Sequence, residues 1–445
     1  MTRALSQDRY PSPGVPTRSA TATFSGNGGG ITDGLSRVGL TVLPLSLFLL
    51  AMSGGFTLTE PAPYEFLFLV VLVITVLSNP PLTIAMALPV LFLGMNMAGA
   101  LFAIAYLPPA EEPLQYVGIT LYLNLTALVI AIAVAAGPLR MLPALRFGYT
   151  LGALGAALCG IAGYFNVAGL EEIFTAAGRA SGPFADPNVF GPFLVFPAAF
   201  LMVDILRGGP ARVMLALVPL AILTVGVLLS FSRGAWLHFA VTMTLTATLI
   251  YVTNGTIMSR MRVIVTGTVA IAVATTLLLG LLSVPVVGEL FTERARIVQP
   301  YDVDQSIGRF NTQAEAIGEI TKYPMGYGAY EFAHEFGLAP HNVYLKALTS
   351  NGWLGGFGYI SFVLATIIVG FHAATSPTPW RIPALVAFAT FVGVAIEGMV
   401  IDTDHWRHFY LVSGLIWGCF AAQHIRQRML RDTATTASQR MMQPT

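Results

Sequence analysis

Twelve separate runs of apolar residues dominate this chain, most of them close to the length an α-helix needs to cross roughly 30 Å of hydrocarbon. They extend approximately over 38–58, 66–79, 82–107, 114–136, 144–164, 188–206, 212–230, 235–253, 263–284, 352–372, 382–401 and 408–425. The second is short and the third long, and they meet at Asn79-Pro80-Pro81. Only 10% of the 445 residues are charged, against about 25% in an ordinary soluble domain. With a mean hydropathy of +0.72, this excludes a soluble multidomain enzyme despite the length. The expected fold is all-α and polytopic, with about 12 transmembrane helices.

Residues 1–36, rich in Pro, Gly, Ser and Thr, read as a disordered cytoplasmic tail, because such a segment cannot bury enough apolar surface to order itself. The run after it is a full span, so it reads as an anchor and not as a cleaved signal. Residues 37–284 carry the first nine helices, 285–351 form one large outer loop, 352–425 carry the last three helices, and 426–445 form a second cytoplasmic tail. With both termini inside, only Arg179, Arg233, Arg294, Arg296, Arg309, Lys322, Lys346 and Arg407 of the 23 basic residues fall outside, as the positive-inside bias requires. The acids sort oppositely, with Asp8, Asp33, Asp204 and Asp432 on the cytoplasmic side.

A net charge of +1 offers no argument for a nucleic-acid partner. Cys159 and Cys419 both lie in apolar runs, where a free thiol behaves as a small hydrophobe. Few ionisable groups fall within spans: His238 and Glu397, with Asp204 and His372 near span ends. Without a two-half repeat, that leaves ion-coupled transport or lipid flipping as the second reading.

Chemistry is expected on the outer face, where the longest loop lies. Ser230-Phe231-Ser232-Arg233-Gly234 joins two spans through almost no loop and holds Arg233 at the membrane surface. In the large loop, Ile307, Phe310, Ala314, Ile317 and Ile320 recur at helical spacing, predicting an amphipathic helix from near Ser306 with Arg309 in its first turn. A cation there opposes the helix dipole, which points to an anionic partner. The helix should end at Tyr323-Pro324, with Gly326-Tyr327-Gly328 turning the chain. His341-Asn342 then opens a short helix that breaks at glycine before the next span. A neutral imidazole in that position can accept a proton. Asp186-Pro187-Asn188 reads as a helix cap, and Asp402, Asp404, His405, Arg407 and His408 crowd the last outer connection. Asp302-Val303-Asp304, Glu60 and Glu65 are further acidic candidates.

Several of these segments together resemble the O-antigen ligase and polysaccharide polymerase superfamily. They are Ser232-Arg233-Gly234, Gly182-Pro183-Phe184 with Pro187-Asn188, Arg309 with Pro324-x-Gly326-x-Gly328, and His341-Asn342-x-x-Leu345 with Gly352-x-Leu354-Gly355. Asp186 stands where that family often carries Asn. The resemblance implies a C-type integral-membrane glycosyltransferase with a large periplasmic helical loop in a bacterial inner membrane. It implies a glycan donor on undecaprenyl pyrophosphate, a glycan or lipid A-core acceptor, membrane lipids as surroundings, and neither cofactor nor metal. Carried over by motif, His341 would be the base and Arg233 and Arg309 would hold the pyrophosphate. Arg407, Arg179, Asn188 and Asn342 would contact substrate.

Overall fold

A computed structural model describes residues 30–105, 111–253, 256–285, 287–288, 291 and 308–441. Most of the expected N-terminal tail, Arg294, Arg296, Asp302-Val303-Asp304 and Ser306 lie outside the described residues. The described architecture is helical, in the order α1 (Gly30–Ser53), α2 (Pro63–Leu77), α3 (Ala87–Ala105), α4 (Glu111–Ala136), α5 (Pro138–Tyr164), α6 (Glu171–Phe174), α7 (Pro187–Phe193) and α8 (Val195–Arg207). It continues with α9 (Pro210–Leu229), α10 (Arg233–Thr253), α11 (Ile257–Leu282), α12 (Arg309–Ile320), α13 (Glu331–Phe336), α14 (Val343–Thr375), α15 (Arg381–Glu397) and α16 (Arg407–Met441). Two-residue strands, Thr175–Ala176 and Arg179–Ala180, pair antiparallel between α6 and α7.

Eight described segments are long and apolar enough to cross a membrane: Ser36–Ser53, Ile84–Ala105, Glu111–Ala136, Pro138–Tyr164, Pro187–Arg207, Pro210–Leu229, Arg233–Thr253 and Val343–Thr375. Pro63–Leu77 is apolar but shorter. The segments expected at 382–401 and 408–425 are helical as α15 and α16 without meeting that measure, and the one expected at 263–284 is helical as α11.

Helices immersed in lipid gain nothing by hiding apolar surface from each other, so they associate where small residues let backbones touch. A Cβ on Gly148 would stand 2.1 Å from the Phe48 carbonyl oxygen, and one on Gly152 2.2 Å from that of Met52, so α5 lies directly on α1. Gly99 meets the Gly355 backbone in the same way, joining α3 to α14, and Gly414 meets the Ala127 carbonyl, joining α16 to α4.

Connections collect at two ends. At one, the Thr57 amide donates to the Pro183 carbonyl (3.1 Å), Val343 donates to Gly398 (2.8 Å), and Arg407 reaches Glu60. At the other, Arg146 pairs with Asp204, and the Trp380 indole donates to the Cys419 carbonyl (3.1 Å).

The loop helix begins at Arg309, with Gly308 as its cap residue. Its protein-facing side differs from the expected stripe: Thr312 and Ala316 are buried, while Phe310 and Ile317 are exposed. Periodicity locates an apolar face but does not say whether protein or lipid covers it.

Candidate functional site at one end of the bundle

The Arg233 turn is held from below. Phe231 adopts φ +47°, the left-handed region that bulky residues avoid, so that α9 can reverse into α10 within three residues. Arg179, buried on the second strand, donates Nε to the Ser230 carbonyl (2.7 Å) and a terminal nitrogen to Asn188 Oδ1 (2.9 Å). Asn188 sits in the first turn of α7, where its amide donates to Asp186 Oδ1 (2.8 Å), so the cap reading of Asp186 holds. A turn later, Gly191 presses against Ser230 and Ala235. Arg179 and Asn188, expected at substrate, thus have polar groups engaged in supporting the turn that presents Arg233.

His341 also adopts a left-handed backbone, φ +46°. Asn342, expected to touch substrate, caps α14: its Oδ1 accepts from the amides of Tyr344 (3.1 Å) and Leu345 (3.2 Å). His341 Nδ1 lies 4.0 Å from Asp402 Oδ2, with about a third of its side chain exposed (35%). Lys346 stands 4.0 Å from the same Asp402 oxygen and donates to Asp404 Oδ1 (3.1 Å). The Tyr116 hydroxyl donates to the other Asp404 oxygen, and the Lys346 ammonium lies 5.3 Å from the Tyr116 ring centre. His405 packs on Tyr116 (4.3 Å between rings), with Nε2 3.0 Å from Thr120 Oγ1. A chain of alternating charges therefore runs inward from His341. Sequence reasoning missed Lys346 as its link, although a lysine one turn beyond His341 was there to be read.

Burial alone would raise the Asp404 carboxyl, but Lys346, His405 and the Tyr116 hydrogen bond hold it down to about 2. Burial pushes the His405 imidazole down to about 4, with Asp404 opposing and Lys346 assisting. His405 is therefore neutral in the fold at pH values where an unfolded chain would already bind a proton, and stability should fall as pH drops from about 6.5 towards 4. Melting of the detergent-solubilised protein should decline across that window, and a His405→Asn variant should decline less.

The Arg233 and His341 segments meet on one helix end. Down the antiparallel α10–α15 contact, Gly234 faces Glu397, His238 faces Gly393, and Thr242 donates to the Ala389 carbonyl (3.4 Å). A Cβ at Gly234 would come within 2.7 Å of Glu397 Oε1, which is why glycine follows Arg233. At the same helix end, the Val343 amide donates to Gly398 (2.8 Å) and the Tyr344 hydroxyl to Ala395 (2.6 Å). These bonds satisfy carbonyls that end α15 and an amide that begins α14.

The Pro324-x-Gly326-x-Gly328 segment is stitched to a break in α14. Gly352 (φ +64°, ψ −171°) interrupts the helix. The Thr349 and Ser350 carbonyls accept from Tyr327 (2.7 Å) and Gly328 (3.1 Å), while the Trp353 amide donates to Pro324 (2.8 Å). The Trp353 indole reaches the Ile320 carbonyl (2.8 Å), tethering the far end of the helix that Arg309 opens. The Arg309 side chain lies outside the described residues.

Arg407, expected at substrate, is clamped by one acid from the connection between α1 and α2 and one from the first turn of α2. Its Nε donates to Glu65 Oε1 (2.7 Å), and a terminal nitrogen donates to both Glu60 oxygens (2.8 Å each). Tyr122 also donates to Glu65 (2.9 Å). The two carboxylates considered as candidates for acid–base work are thus ion-paired to a guanidinium.

The fold and this end of the bundle define a polytopic helical membrane protein with a polar, partly open site. Residues 218–360 match the family model described as O-antigen ligase, in agreement with the resemblance seen in the sequence. The matched stretch, about a third of the chain, is similar to a ligase and polymerase family of polysaccharide biosynthesis. The match includes Arg233, Arg309, Pro324–Gly328, His341 and Gly352 and stops short of Asp402, Asp404 and Arg407. No curated protein matches the chain.

Proposed function

We propose that this chain is an integral-membrane glycosyltransferase of the ligase or polymerase kind. It takes a glycan from undecaprenyl pyrophosphate and joins it to an acceptor sugar hydroxyl, on a glycan or a lipid A-core, at the periplasmic face of the inner membrane. This reading places 12 spans in the bilayer, both termini in the cytoplasm and 285–351 outside. It rests on one observation: the segments that carry Arg233 and His341 pack on the same end of α15.

In the reaction, His341 accepts the acceptor hydroxyl proton as the oxygen bonds to the anomeric carbon. The bond from that carbon to the pyrophosphate oxygen breaks, and the electron pair leaves with the diphosphate. Arg233 and Arg309 balance the charge that develops, since guanidinium groups donate two parallel hydrogen bonds to phosphate oxygens. Arg179 and Asn188 serve the donor by fixing the Arg233 turn, Asn342 serves His341 by starting its helix, and Arg407 pins the first outer loop beside them. No metal is assigned a part.

Carrier lipids from a strain lacking the gene provide the test. Long glycan chains accumulating on the carrier in the outer leaflet would identify a ligase, and single repeat units there a polymerase. Donor retained in the inner leaflet would instead make the protein a transporter or flippase and remove the enzyme reading.

A further inference from the structure

Glu397 and His238 are the ionisable pair that the proposed reaction leaves unused. Both side chains are fully buried, and His238 Nδ1 lies 3.0 Å from Glu397 Oε2. His238 Nε2 contacts the Thr390 carbonyl (3.1 Å), which can only accept, so Nε2 carries a hydrogen. The Nδ1–Oε2 bond then holds one proton whichever group owns it, and the pair is electrically neutral either way. That neutrality suits it to an apolar bundle. Gly393 makes room for the imidazole: a Cβ there would lie 2.3 Å from His238 Cδ2.

The other carboxylate oxygen, Oε1, is buried without a hydrogen-bond partner. It faces Gly234, immediately after Arg233. The residue following Glu397 is Gly398, whose carbonyl receives the Val343 amide two positions after His341. The His238–Glu397 bond therefore locks the place where one backbone leads to Arg233 and the other to His341.

We propose that Glu397 is a positioning residue for glycosyl transfer, holding the Arg233 turn and the His341 helix start at a fixed separation through its contact with Gly234 and its bond to His238. The assignment rests on the transferase reading. A displacement of about 1 Å between groups that must act together can lower turnover about a hundredfold.

The test uses the full-length protein in nanodiscs with carrier-linked glycan extracted from the deletion strain. Glu397→Ala should lower kcat about tenfold to a hundredfold per mole of folded protein while the donor KM changes less than about threefold. Glu397→Gln, which keeps the shape and can donate to Nδ1, should restore kcat to within about fivefold of the intact chain. Gly234→Ala should be damaging alone yet add little to Glu397→Ala, because the atom it strikes has gone. Wild-type kcat in a folded Glu397→Ala variant would overturn the proposal. So would a glutamine variant as inactive as alanine, or multiplicative effects of the two substitutions. Should the intact chain transfer nothing, the transferase reading fails by itself. The melting temperatures of the intact chain, Glu397→Ala, Gly234→Ala and their combination still decide the contact, and additive shifts would refute it.

Discussion

Replacing His341 by alanine should leave an inserted, abundant protein whose glycan transfer has fallen by about 10²- to 10⁴-fold, the usual contribution of a positioned base. The position requires a second variant, because His341 holds φ +46° and alanine tolerates that backbone poorly. Asparagine accepts left-handed φ but cannot act as a base near neutral pH, so His341→Asn isolates the chemistry from the strain. Both variants should be inactive with unchanged donor affinity, and transfer retained by the asparagine variant would remove His341 from the mechanism. Arg233 variants should behave differently in the same assay. Alanine should raise the donor KM as well as lower turnover, and lysine should restore only part of each, since an ammonium lacks the planar fork.

The largest effect on folding should come from Gly352→Ala. The dihedrals φ +64°, ψ −171° belong to a region that is essentially reserved for glycine, and a Cβ there would lie 2.5 Å from the Met325 carbonyl carbon and 2.6 Å from the Pro324 oxygen. The colliding atoms are backbone and cannot step aside. Straightening α14 to relieve them would break the exchange of hydrogen bonds between 324–328 and 349–353. The expected cost is on the order of 3 kcal/mol or more, a large part of the stability of an ordinary protein. The yield of monodisperse solubilised protein should collapse and the remainder melt well below the intact chain. A Gly352→Ala protein melting like the parent would show that the break is not required.

What could be read in advance was local. Hydropathy located helices at all twelve apolar segments, the Asp186 cap followed from its residue type, and the break at Gly352 and the turn at Gly326 followed from glycine placement. The first turn of the loop helix was displaced by a few residues, and the face it buries in the protein is not its apolar stripe, because periodicity is blind to what lies opposite. What stayed hidden depends on pairs far apart in the chain. Arg407 seemed available to substrate because Glu60 and Glu65 lie more than 340 residues away. Glu397 and His238 could each be singled out as an ionisable group in an apolar run, yet nothing in either segment announces that they share a proton.

That shared proton bears on how the chain is made. A carboxylate carried alone into hydrocarbon is disfavoured, and the segment from Arg381 to Glu397 has little apolar length to offset it. Ribosomes synthesise α10 first, so His238 is already in the bilayer when Glu397 emerges. Late integration of this segment becomes an act of recognition by a helix that arrived earlier, and a chain whose His238 is lost should fail there, during biogenesis, before any substrate is met.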